Sequence, residues 1–211
     1  MTETRTLRTD TTGRYLVERG PDGAPLLVGF HGYGQCAETL LADLRRIPGV
    51  DRWTLVSVQA LHRFYTRSQE VVASWMTRQD REAAIADNLA YVGRVLDALR
   101  AEGHAGHIVL TGFSQGAAMA WRAAARFPCD GLVILGGDLP EDAAEAPGLA
   151  GRPILLGRGE TDTLYSAPQL EKDLAALRAR GLKPEVCRFE GDHAWHPDFL
   201  DAAGRFLERI R

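Results

Sequence analysis

Residues 107–119 read His-Ile-Val-Leu-Thr-Gly-Phe-Ser-Gln-Gly-Ala-Ala-Met, an apolar run that passes through Gly112-Phe113-Ser114-Gln115-Gly116 into an alanine-rich stretch. The run has strand length and β-branched content, and residues 115–127 have helical spacing. A serine with glycine two positions to either side, between a strand and a helix, sits on a turn too tight for bulkier neighbours. Its hydroxyl then stands above the sheet, where the following amides and the helix N-terminus direct positive charge at a developing oxyanion. On these five residues alone, an ordinary turn capped by Ser114 is the alternative.

On both sides of this turn, short apolar runs alternate with longer helical patterns. Strand-length runs occupy Leu26–Phe30, 54–58, 107–111, 132–135, 154–156 and Glu185–Phe189, with Arg14–Glu18 as an added edge strand. Helical spacing covers 37–47, 80–101, 115–127, 167–180 and 197–209. In the second of these, Ile85, Leu89, Val92, Leu96 and Leu99 make one apolar stripe. The alternation predicts an α/β fold with a mostly parallel, six- to seven-stranded sheet and helices on both faces. Right-handed crossovers place the functional loops at the carboxyl ends of the strands. Residues 59–76 read as irregular and 138–151 as a surface excursion. The 211 residues suit one domain, 1–211, whose core elements use nearly all of the length and leave no room for a large cap domain.

Composition narrows the partners. Twenty-five basic and 28 acidic residues give a net charge of −3, which offers no footprint for nucleic acid or an anionic membrane. No apolar run is long enough for a membrane span, and the first ten residues lack the apolar core of a signal peptide. Cys36, Cys129 and Cys187 are odd in number and widely spaced, forming neither a disulfide framework nor a zinc pattern. A soluble cytoplasmic protein is the expectation.

A second turn supports a catalytic reading. Residues 27–34, Leu-Val-Gly-Phe-His-Gly-Tyr-Gly, form a strand that runs into a glycine-spaced turn. Such a turn can present a free backbone N–H as one oxyanion donor, the amide after the nucleophile being the other. A serine hydroxyl needs a base to take its proton as it attacks, and after an elbow of this kind the partners follow in the order Ser, acid, His. The histidines after Ser114 are His193 and His196. His193 leaves the carboxyl end of the last strand, where a base belongs, whereas His196 precedes Pro197 and suits helix capping. No further ligands are spaced to make a metal site of the pair. Among Asp138, Glu160, Asp162 and Asp192, Asp162 lies in the loop best placed to turn a carboxylate toward His193, with Glu160 as its rival.

Phe30-His-Gly-Tyr-Gly34, Gly112-Phe-Ser-Gln-Gly116, Gly157-x-x-x-x-Asp162 and Glu190-Gly-Asp-His193 together resemble the phospholipase/carboxylesterase family of α/β-hydrolases, which includes bacterial carboxylesterases and acyl-protein thioesterases. The likeness runs from about residue 25 to the C-terminus. It implies a compact α/β-hydrolase fold without a large cap, no cofactor and no metal, and it carries the oxyanion donors onto the backbone N–H groups of Tyr33 and Gln115. The acid loop, Gly-Glu-Thr-Asp-Thr-Leu-Tyr, departs from the family's usual Gly-x-x-Asp with a nearby proline, which keeps Glu160 in play.

The expected reaction is attack by Ser114 on a carboxylic ester, thioester or lysophospholipid, with His193 as base, Asp162 orienting it, and an acyl-enzyme intermediate. Phe64, Tyr65, Trp75, Met76 and Leu164 are the expected pocket, each being equally a core candidate. The alternatives are a non-catalytic small-molecule binding module, disfavoured by an intact Ser114, Asp162 and His193, and a peptidase or acyltransferase on the same triad. Small esterases of this shape can form a homodimer, and the sequence shows no decisive interface.

Overall fold

The computed structural model describes residues 1–104 and 106–210; Ala105 and Arg211, both within the expected domain 1–211, lie outside the described residues. Seven strands form one sheet: β1 (Arg14–Glu18), β2 (Leu26–Phe30), β3 (Thr54–Gln59), β6 (Ile108–Phe113), β7 (Gly131–Leu135), β8 (Ile154–Gly159) and β9 (Glu185–Phe189). Their order is β1-β3-β2-β6-β7-β8-β9, with β1 antiparallel to β3 and every other pair parallel. The mostly parallel sheet of six to seven strands expected from the sequence is observed, with seven.

Strand side chains alternate between two cores. Leu26, Val28, Leu110 and Ile134 pack with α2 (Arg81–Ala101), α3 (Gln115–Arg126) and α5 (Ala167–Ala179). Leu27, Val109, Val133 and Leu155 pack with α1 (Ala37–Leu44) and α6 (Pro197–Ile210) on the other face. Both faces of the central strands are buried, so β2, β6 and β7 read as unbroken apolar runs. Surface ion pairs such as Arg45–Glu18 and Arg188–Glu171 are more than 40% exposed on both sides. Such pairs contribute roughly 0–1 kcal/mol, against about 2–5 kcal/mol for truncating one core leucine. The two apolar layers therefore hold the fold.

Two segments differ from the sequence reading. Residues 59–76 are not irregular: β4 (His62–Tyr65) and β5 (Val71–Ser74) pair as an antiparallel hairpin. The hairpin is tied to the β2–α1 turn by two hydrogen bonds, one from the Ala73 amide to the Gln35 carbonyl and one from the Gly34 amide to the Ala73 carbonyl. Its strands are only four residues long and polar in part, which hid the period-2 pattern. Residues 138–151 do not simply skirt the surface. They hold the short helix α4 (Glu141–Ala144) and bury Leu139, Ala143 and Leu149 against the α3 side of the sheet.

Candidate active site

The β6–α3 turn is built by close backbone approach. A Cβ on Gly112 would stand 2.3 Å from the Gly116 carbonyl oxygen, and one on Gly116 would stand 2.0 Å from that of Phe30, so neither position admits a side chain. Between them Ser114 is held at φ 54°, ψ −121°, a left-handed conformation that costs a non-glycine residue of order 1–3 kcal/mol. Its own amide donates to the Leu135 carbonyl at 2.9 Å, anchoring the strained residue to β7.

The β8 and β9 loops meet above this turn. Asp162 Oδ2 lies 2.7 Å from His193 Nδ1, with the aspartate side chain 1% and the histidine 16% exposed. Asp162 Oδ1 accepts from the Leu164 and Tyr165 amides, each at 2.8 Å, leaving Oδ2 for the imidazole. Glu160 is exposed and its carboxylate has no hydrogen bond among the described residues; its backbone N–H donates to the Phe189 carbonyl. His193 packs at a tilt against Phe113, 4.7 Å between ring centres, and its Nε2 is buried without a protein partner among the described residues. Ser114 and His193 line one cavity of about 190 Å³, together with Met76, Arg81, Gln115, Ala118, Gly136, Gly137, Asp138, Leu164 and Tyr165. A wider groove of about 730 Å³ shares Arg81, Ala118 and Asp138 with it and runs on between α2, α3 and α4. His196 stacks on Phe189 at 4.9 Å and accepts from the Asp198 amide at the start of α6, a capping position.

The β2–α1 turn offers a donor. The Gly32 amide donates to Gln35 Oε1, Gly34 to the Ala73 carbonyl, and Gln35 to the Gly32 carbonyl. The Tyr33 amide has no acceptor among the described residues, nor does that of Gln115. Free donors at these two positions, beside the serine, are what an oxyanion site requires.

Several side chains that set this geometry were given no such part by sequence reasoning. His31 is fully buried; its Nδ1 donates to the Gly32 carbonyl at 2.7 Å, and its Nε2 accepts from the Ala60 amide. The Gln115 side chain reaches β5, accepting from the Trp75 amide and donating to the Met76 carbonyl, each at 2.9 Å. Asn88, buried on α2, donates to the Trp75 carbonyl. A polar residue within the apolar stripe of α2 was the available signal for it.

The expected pocket is corrected in part. Met76 and Leu164 line the cavity. Trp75 does not: it is 0% exposed, packs edge-on to Phe30, and donates from Nε1 to the His31 carbonyl. Phe64 and Tyr65 lie on the hairpin outside the cavity, Phe64 against Tyr33 and Tyr65 67% exposed. The apolar-aromatic rule overlooked the charged Arg81 and Asp138, and Tyr165, although aromatic, was not among the expected residues. No group of three or more His, Cys, Asp or Glu side chains among the described residues is placed to hold a metal ion.

Burial pushes the His31 imidazole below its ordinary 6.5, only partly opposed by its bond to the Gly32 carbonyl. The unfolded chain therefore takes up a proton near pH 6.5 that the folded chain refuses until lower pH. Stability from this group is complete above pH 6.5 and is lost as the pH falls through the folded value. Urea unfolding should show stability falling between pH 7 and pH 5, with up to about 1.4 kcal/mol per pH unit from this one histidine. His31→Gln should flatten that slope; an unchanged slope would assign the acid sensitivity elsewhere.

A parallel sheet flanked by helices, with a strained serine between strand and helix and no large cap among the described residues, defines an α/β-hydrolase. The family model for phospholipases and carboxylesterases matches residues 16–210, and the chain belongs to that family. Solved structures agree. Esterase PE8 is 25% identical over 95% of this chain and 100% of its own, with a TM-score of 0.73. A Bacillus cereus carboxylesterase is 17% identical, covering 96% of each chain, with a TM-score of 0.79. Zea mays acyl-protein thioesterase 2 is 19% identical over 94% of this chain and 99% of its own, with a TM-score of 0.75. Among curated proteins no sequence matches the chain. The protein is a hydrolase of the carboxylesterase type, and no helix among its described residues is long and apolar enough to cross a membrane.

Proposed function

We propose that Ser114, His193 and Asp162 act as a catalytic triad that cleaves small carboxylic esters through an acyl-enzyme, on a single domain working in the cytoplasm. The reading is carried by one observation: Asp162 grips His193 Nδ1 at 2.7 Å while the opposite nitrogen is buried and unpartnered in the cavity that holds Ser114. Ser114 Oγ attacks the carbonyl carbon and its proton passes to His193 Nε2. The Tyr33 and Gln115 amides receive the oxyanion, each such donor being worth about 3–4 kcal/mol in the transition state. The imidazolium then protonates the departing alcohol, and a water activated by the same nitrogen hydrolyses the acyl-serine. Asp162 keeps the imidazole in the Nδ1–H tautomer and stabilises its cation.

The test is labelling with a fluorophosphonate probe followed by peptide mapping. One adduct per chain on Ser114 is expected; an unlabelled chain, or an adduct elsewhere, would refute the assignment. Turnover of matched acyl esters, thioesters, lysophospholipids and peptides then assigns the leaving group, esters being expected to react fastest.

A further inference from the structure

Arg158 lies on β8, four residues before Asp162, and is 6% exposed. Among the described residues no carboxylate lies within ion-pair distance of it. Its guanidinium is spent on three carbonyls of the single loop that carries Asp162: Nε donates to Tyr165 at 2.7 Å, and Nη2 to Asp162 at 3.1 Å and Glu160 at 3.3 Å. A buried cation without a counter-ion is costly to keep, and a lysine could not span three acceptors with one planar fork. Tyr165 belongs to both halves of the arrangement. Its carbonyl faces the guanidinium, while its N–H, with that of Leu164, faces Asp162 Oδ1. The far end of the loop is pinned by the Tyr165 hydroxyl on buried Asp173, which also accepts from the Leu139 amide.

We propose that Arg158 is a positioning residue for the reaction: by gathering the carbonyls of residues 160, 162 and 165 it turns the loop amides onto one oxygen of Asp162, so that the other is presented to His193. This rests on the Ser114–His193–Asp162 reading. Without the fork the loop carbonyls lose their common donor, the Leu164 and Tyr165 amides drift from Oδ1, and the imidazole loses its fixed orientation. Arg158 acts through Asp162 and touches no reacting atom.

The experiment is a double-mutant cycle on p-nitrophenyl acetate hydrolysis, with rates normalised to fluorophosphonate-titrated sites and thermal unfolding recorded for each protein. Arg158→Met should lower kcat by about thirtyfold or more with KM nearly unchanged, and Arg158→Lys, which keeps the charge, by about five- to tenfold. In an Asp162→Ala background either change should alter kcat by less than about twofold, because its route of action is already gone. Equal fold-losses in both backgrounds, or an unaltered kcat per titrated site in Arg158→Met, would overturn the proposal. Should Arg158→Met not fold, Arg158→Lys decides in the same cycle. Full activity in Asp162→Ala alone would instead overturn the triad reading, and the proposal with it.

Discussion

Replacing Ser114 by alanine should lower kcat for p-nitrophenyl acetate by about 10⁵–10⁶-fold, the scale seen when the nucleophile of a serine triad is removed. That corresponds to about 7–8 kcal/mol of transition-state stabilisation. The loss should leave folding intact or improve it, because alanine removes only the hydroxyl from a residue whose side chain makes no hydrogen bond among the described residues. The strained φ of 54° is retained by the bond from residue 114's amide to the Leu135 carbonyl. Steady-state kinetics with thermal unfolding checks both halves. Wild-type turnover in Ser114→Ala would place the chemistry elsewhere in the cavity, and a large fall in melting temperature would show that the serine serves the fold.

Asp162→Asn is expected to lower kcat by about 10⁴-fold, or about 5 kcal/mol, while Glu160→Gln changes it by less than about twofold. The asparagine keeps the shape of the loop. It presents either an oxygen or an NH₂ to His193 Nδ1, and in the second case the imidazole carries its proton on Nε2, where it cannot accept from Ser114. Nor does the amide stabilise the imidazolium. Glu160, exposed and with no bond to the histidine, has no route to the reaction. Comparable losses in the two variants would show that the loop as a whole, rather than the Asp162 carboxylate, supports the base.

Much of the site was legible because its decisive features are local. Gly112 and Gly116 are needed by contacts within a few residues of the serine and with the adjoining β2, so the turn is written into five consecutive positions. His193 was legible for a related reason: it is one of two histidines after Ser114, and the other adjoins Pro197 at a helix start, where it caps α6. The oxyanion turn was readable from its glycine spacing, although the bonds of Gly32, Gly34 and Gln35 that leave the Tyr33 amide free involve the distant Ala73.

The pocket was much less legible. Trp75, Met76, Phe64 and Tyr65 have the same apolar character in sequence, and a rule based on that character cannot sort them. Asn88 and Gln115 sort them by holding the backbone of Trp75 and Met76, while the His31 carbonyl accepts from the Trp75 indole, which fixes Trp75 inward and leaves Met76 on the cavity wall. The hairpin escaped for want of length. Four-residue strands carry too few alternations to rise above their polar content, and their pairing is settled by contact with the β2–α1 turn.

By itself, then, the sequence determined the sheet, the two helical layers and the tight strand–serine–helix turn, because hydrophobic periodicity and glycine-limited turns are short-range properties of the chain. Only the tertiary structure decided which of two carboxylates of one loop, Asp162 or Glu160, is bonded to His193: it is Asp162. That choice depends on which backbone groups face inward, and they are set by Arg158 from the strand below and by Asp173 from α5. A carboxylate's partner is selected by the loop that carries it, and the loop is shaped by side chains whose part in it no local pattern records.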